Sequence, residues 1–129
     1  MTRVFIDMDE VLVDFIGTVI DMAYPASRKF IEDGSIADPF FVSKQFEEGH
    51  AAFDKYIDSF GVAWWENLKP LPWCFLLVSE LEALGNSYGF EVAFLSNPHV
   101  YSNSAEGKVR WLRRHGFDSR KLVLTRSKW

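Results

Sequence analysis

The sequence predicts an α/β protein built on a parallel sheet with helices packed against it. Two short apolar runs, Arg3 to Asp7 and Phe90 to Leu95, each end in polar groups, as buried strands do where their carboxyl ends meet solvent. Segments with helical spacing separate these runs, which is the order expected of parallel strands joined by crossovers. The length, 129 residues, suits one domain, since two halves with separate cores would each be marginal.

The elements follow in chain order. Arg3-Val4-Phe5-Ile6-Asp7 is the first strand. Val11 to Tyr24 carries apolar residues at 12, 15, 16, 19, 20 and 23, a helical stripe that Pro25 ends. An insert follows, with Pro39-Phe40-Phe41 irregular. His50 to Phe60 places Phe53, Tyr56, Ile57 and Phe60 on one helical face, with Gly61 as the stop. Trp64-Trp65 and Lys69-Pro70-Leu71-Pro72 read as a connection, and Pro72 suits the first turn of the next helix. Phe75, Leu77, Val78, Leu81 and Leu84 carry that helix to Gly85. Phe90 to Leu95 is the second strand, leading into Ser96-Asn97-Pro98. Ser104 caps a helix that runs to His115, with Arg113 and Arg114 near its negative end and Gly116 as the stop. Lys121 to Thr125 is a third strand. In such sheets ligands sit beyond the carboxyl ends of the strands, where Asp7, Ser96 and Thr125 to Lys128 converge.

Composition excludes several function classes. Hydrophobic residues make up 48% and charged residues 25%, so the chain has the apolar content that a disordered one lacks. The formal charge of −4 argues against a duplex nucleic-acid binder, which needs a positive surplus. Asp7, Asp9 and Glu10 interrupt the apolar start and exclude a secretory signal core. No apolar run approaches the roughly 20 residues of a membrane span. The single cysteine, Cys74, cannot build a disulfide framework and fits a cytoplasmic protein. Twelve Phe and five Trp exceed the needs of so small a core, so some of these rings are candidates to line a pocket.

Asp7-Met8-Asp9 is the most informative feature. Both carboxylates follow a strand, and their spacing lets both turn toward one site as the chain leaves the sheet. An Asp is ionised at neutral pH and can attack phosphorus without a base to activate it. A second Asp can protonate the leaving alkoxide and then activate water. Paired acids also suit Mg²⁺, which takes hard oxygen ligands. The plainer alternative is a pair of solvated turn acids that cap the next helix.

Asp7-Met8-Asp9-Glu10-Val11-Leu12-Val13-Asp14-Phe15 resembles the first motif of the haloacid dehalogenase (HAD) superfamily, and is most similar to that of the 5′(3′)-deoxyribonucleotidases. Phe40-Phe41-Val42-Ser43 resembles an aromatic segment of the family's cap, and Leu68 to Pro72 the stretch leading back to the core. Leu95-Ser96-Asn97-Pro98 stands where the second motif belongs. Lys108 to Trp111 is similar to a lysine-and-tryptophan helix, and Leu124 to Lys128 to the segment bearing the third-motif lysine. The resemblance implies a HAD-like Rossmannoid parallel sheet flanked by helices. It places the core at about 1–24 and 70–129, with a small helical cap at about 25–69 inserted after the first strand.

The same resemblance implies a Mg²⁺-dependent phosphatase acting on (deoxy)nucleoside monophosphates. Asp7 is then the nucleophile and Asp9 the general acid and base, with the Asp7 side chain and the Asp9 backbone carbonyl facing Mg²⁺. Ser96, Asn97 and Lys128 would meet the phosphate. Outside the family, Ser96 reads as a turn serine and Lys128 as a solvated terminal lysine. Lys108 has two readings, a phosphate ligand or one more cation on an exposed face with Arg110, Arg113 and Arg114. Phe15, Phe40, Phe41, Trp64 and Trp65 are candidates to stack on a base or to fill the space between cap and sheet. His50, His99 and His115 have no metal-ligand spacing and read as surface or capping residues.

Two departures from the family pattern stand out. Glu10 replaces a glycine and adds negative charge beside a phosphate site unless its side chain turns away. Asn97 replaces a residue that is often serine. In addition, the family's fourth motif, an acidic pair on a further strand, would lie beyond Trp129. Three readings fit: a shortened product, a second polypeptide that supplies the strand, or a protein that lost catalysis and kept nucleotide or partner binding. That strand lies beside the first one in the family, so Arg3 to Asp7 is expected to offer an open edge to a second copy or a partner chain.

Overall fold

The computed structural model describes residues 2–23, 55–97 and 103–126. Most of the expected cap, with Phe40, Phe41 and His50, lies outside the described residues, as do His99 and Lys128. Strand β1 spans Thr2–Asp7, β2 Phe90–Ser96 and β3 Leu122–Leu124. Helix α1 spans Phe15–Ala23, α2 Gly61–Glu66, α3 Cys74–Tyr88 and α4 Asn103–Arg114. A 3₁₀ turn at Ser119–Lys121 precedes β3, and it claims Lys121 from the expected strand.

The sheet is parallel and three-stranded, in the order β1-β2-β3. β2 is central, and Val92, Ala93, Phe94 and Leu95 are all buried, the continuous apolar run that a strand covered on both faces requires. β1 is less enclosed than its sequence suggested. It pairs only with β2 among the described residues, and Phe5 stays 44% exposed while Ile6 is buried.

Helix α2 packs on α4, and α3 packs on β2. Cys74, Val78 and Gly85 are buried along α3, with Leu77 and Leu81 packed against the core. Phe75 and Leu84 fall outside that stripe and are about half exposed. Burial pushes the Cys74 thiol up to about 11, so it is inert at neutral pH. No helix among the described residues is long and apolar enough to cross a membrane.

Several boundaries differ from expectation: α1 begins at Phe15 and not Val11, and Ser104 lies inside α4, which begins at Asn103. The helix described over residues 55–58 ends ahead of Gly61 as expected, but Gly61, at φ +75°, also begins α2. Trp64 and Trp65 consequently lie on a helix rather than in a connection. Gly85 does not stop α3. A side chain there would put a carbon 2.5 Å from the Phe90 carbonyl oxygen, so this glycine permits the helix to rest on the start of β2. The stop is Gly89, in the left-handed conformation that a C-terminal cap favours. Pro72 precedes α3, which begins at Cys74. His115 is not a free cap either: its ring packs 4.5 Å from Trp111 and 5.7 Å from Phe75. That burial, with the Arg114 charge, lowers its pKa.

Candidate active site

The site forms where β1 and β2 end side by side. Asp7 pairs in register with Leu95, so Ser96 is the next residue along the neighbouring strand. The Met8 amide continues the ladder to the Leu95 carbonyl at 3.1 Å, and its side chain is sealed in the core. The chain then doubles back. The Met8 carbonyl accepts from the amides of Val11, Leu12 and Val13 at 3.3, 2.8 and 3.0 Å. Asp9 stands on this knot.

A distant segment clamps the knot from outside. The Asp14 amide donates to the Lys69 carbonyl at 2.9 Å, and the Leu71 amide to the Leu12 carbonyl at 2.8 Å. The Trp73 indole N–H donates to the Val11 carbonyl at 2.7 Å. The sequence reading missed Trp73, and its place beside Pro72 carried no signal for that role.

Lys108 reaches the site from α4. Its side chain is only 3% exposed. Its Nζ donates to Asp9 Oδ2 at 3.1 Å, Ser96 Oγ at 2.5 Å and the Asn97 carbonyl at 3.1 Å. An ammonium has three N–H groups, and all three are thereby taken by the protein. The exposed-face reading of Lys108 does not hold. The neighbouring cations are the ones facing out: Arg110 pairs with Glu106 at 2.7 Å, Arg113 donates to Ser119 Oγ, and Arg114 to Asn67 Oδ1. Ser96 is fully buried, its carbonyl accepts from the Thr125 amide at 3.0 Å, and its hydroxyl oxygen faces Lys108. The Asn97 carbonyl faces Lys108 as well, while the residue itself is exposed.

Gly107 allows this approach. A Cβ at 107 would collide with Trp65 Cβ and lie 3.1 Å from the Val62 carbonyl, so α4 can press onto α2 only without one. The contact leaves the Trp65 ring 5.5 Å from Lys108 Nζ, within cation–π range. Gly107→Ala is expected to destabilise the fold by about 1–3 kcal/mol through overpacking. A denaturant titration at unchanged slope checks this; an equal or higher midpoint contradicts it.

Glu10 has turned away from the strand ends. Its backbone sits at φ +63°, a left-handed conformation that costs a non-glycine residue about 1–3 kcal/mol. Its Oε1 accepts from the Ile16 amide at 2.5 Å, and Asp14 Oδ1 accepts from the Gly17 amide at 3.0 Å. Together they cap the start of α1. Burial against that turn raises the Glu10 pKa; the Ile16 hydrogen bond opposes the shift, and the charges of Asp14 and Asp9 add to it.

The aromatic candidates divide. Phe15 and Trp65 are buried in the core, stacked at 5.4 Å and 13°. Trp64 meets Phe15 edge-on at 5.9 Å and Trp65 at 5.0 Å. Of these rings, Trp65 lies beneath Lys108. Phe40, Phe41 and Lys128 lie outside the described residues. Among the described residues no three His, Cys, Asp or Glu side chains cluster as a metal site. Asp7 and Asp9 still offer hard oxygen ligands, and Mg²⁺ characteristically takes only one or two carboxylates with water and substrate phosphate, so the residues present suit it.

A family profile described as 5' nucleotidase, deoxy (pyrimidine), cytosolic type C protein matches residues 1–129. No match was found among curated proteins.

Proposed function

The chain belongs to this cytosolic type C 5′-nucleotidase family, and from that premise we propose that it is a phosphatase that hydrolyses (deoxy)nucleoside monophosphates at Asp7. The observation that supports this most is the contact of Asp9 with the buried Lys108–Ser96 pair, two residues past Asp7 at the end of β1 and beside the end of β2. The core of about 1–24 and 70–129 carries the chemistry, and the insert at about 25–69 acts as its cap.

The Asp7 carboxylate attacks phosphorus in line, and the bond from phosphorus to the nucleoside oxygen breaks. Asp9 gives its proton to that oxygen, and the nucleoside leaves. The carboxylate so formed faces the Lys108 ammonium at 3.1 Å. Asp9 next takes a proton from water, and that water attacks the phosphorus of the aspartyl-phosphate. Asp7 is freed and inorganic phosphate is released. Lys108 holds Asp9 in place for both transfers. Because Ser96 Oγ accepts from Lys108, its own O–H is left to donate to a phosphoryl oxygen. The Asp7 side chain and the Asp9 carbonyl would hold Mg²⁺, which neutralises phosphoryl charge when bound. In this reading Asn97 and Lys128 serve the phosphate, and Phe15, Phe40, Phe41 and Trp65 are the candidates to stack on the base.

Phosphate release across nucleoside monophosphates and sugar phosphates, with Mg²⁺ and with excess chelator, tests this reading. Release from nucleotides that chelation stops is expected. Absence of release from every nucleotide, or release that chelation leaves untouched, contradicts it.

A further inference from the structure

We propose that Glu10 is a positioning residue for Asp9, its carboxylate clasping the first turn of α1 and thereby fixing the knot that carries Asp9. This inference rests on the phosphatase reading above and adds a residue to it. Three observations combine. Glu10 holds a backbone conformation, φ +63°, that glycine adopts freely and that other residues keep only where the surroundings enforce it. Its side chain supplies the enforcement by accepting from the Ile16 amide, six residues on, at 2.5 Å. Its own amide closes the knot from the other side, donating to the Val13 carbonyl at 2.9 Å.

Asp9 thus has two anchors. Lys108 holds its carboxylate, and the Glu10 clasp holds its backbone, which bridges Val13. A glycine at position 10 would relieve the strained torsion and remove the clasp together. The knot would then sample more conformations, since the carboxylate that ties residue 10 to α1 is gone. The helix start is also where a carboxylate is favoured, so the clasp gains from the aligned amides of α1.

Three variants of the full chain test the proposal with two readouts, amide hydrogen exchange and steady-state kinetics. Glu10→Gln keeps an acceptor oxygen, Glu10→Ala removes it and keeps the torsional strain, and Glu10→Gly removes both. The Ile16, Val11, Leu12 and Val13 amides are expected to stay protected in Glu10→Gln and to exchange faster in the other two. With a nucleoside monophosphate, kcat is expected to fall about tenfold or more in Glu10→Ala and Glu10→Gly at nearly unchanged KM, and Glu10→Gln is expected to recover most of the loss. Glu10→Gly should melt close to wild type despite its low kcat, because it sheds the strain.

Wild-type kcat and exchange in Glu10→Gly would overturn the proposal. So would kcat losses that follow melting temperature across the three variants, the mark of a merely structural role. Should the wild-type chain release no phosphate, the phosphatase reading fails by itself. The exchange data then decide the clasp alone: faster exchange in Glu10→Ala and Glu10→Gly sustains it, and unchanged exchange overturns it.

Discussion

Asp7→Asn is expected to lower phosphate release from a nucleoside monophosphate by more than about a thousandfold, the scale seen when an enzyme loses its nucleophile. The amide is nearly the same size as the carboxylate and lacks the negative charge that attacks phosphorus. Asp7 takes its place in β1 through backbone pairing in register with Leu95, which the substitution leaves intact. The variant should therefore fold, with circular dichroism and melting temperature close to wild type. A folded Asp7→Asn protein that turns over at the wild-type rate would remove Asp7 from the mechanism.

Lys108→Met has the second largest expected effect, and it acts on both stability and turnover. Methionine fills much of the same buried volume. Asp9 Oδ2, Ser96 Oγ and the Asn97 carbonyl each lose a donor. Asp9 is 30% exposed, so water replaces part of what is lost there; Ser96 is fully buried and has no such relief. The expected destabilisation is about 1–3 kcal/mol, the range for a buried polar group left without its partner. Turnover is expected to fall about a hundredfold, because Asp9 and the Ser96 hydroxyl are no longer held in place. Arg110→Met, two residues away, is the control. Its pair with Glu106 is exposed on both sides, so stability should change by less than about 0.5 kcal/mol. Equal effects of the two substitutions would contradict the distinct place given to Lys108.

The strands and the acidic pair were legible because short apolar runs ending in Asp7 and Ser96 carry their own signal. The burial of Lys108 is legible in the face its helix shares with the core. Ser104, Lys108, Trp111 and Leu112 recur at helical spacing and are all buried, while Arg110, Arg113 and Arg114 point the other way. Gly107 gave a second hint, since a glycine inside a helix marks a close neighbour, here Trp65. The clasp of Glu10 was not legible. It depends on a left-handed torsion and on a contact with Ile16 that no periodic pattern encodes. The helix that starts at Gly61 was not legible for a related reason: a glycine that ends one helix gives no sign that it also turns the chain into another. The clamp by Trp73 on Val11 joins residues far apart in the chain and rests on one indole N–H, which leaves no local trace.

Chemical trapping of the phosphorylated carboxyl tests the central claim most directly. An acyl phosphate formed on an aspartate is reduced by borohydride to homoserine, which peptide mapping can assign to a position. Quenching the protein during turnover of a nucleoside monophosphate, reducing it, and mapping the peptide across 4–14 should yield homoserine at position 7 alone, and none when nucleotide is omitted. Homoserine at position 9 instead, or turnover with no modified residue at position 7, would contradict attack by Asp7.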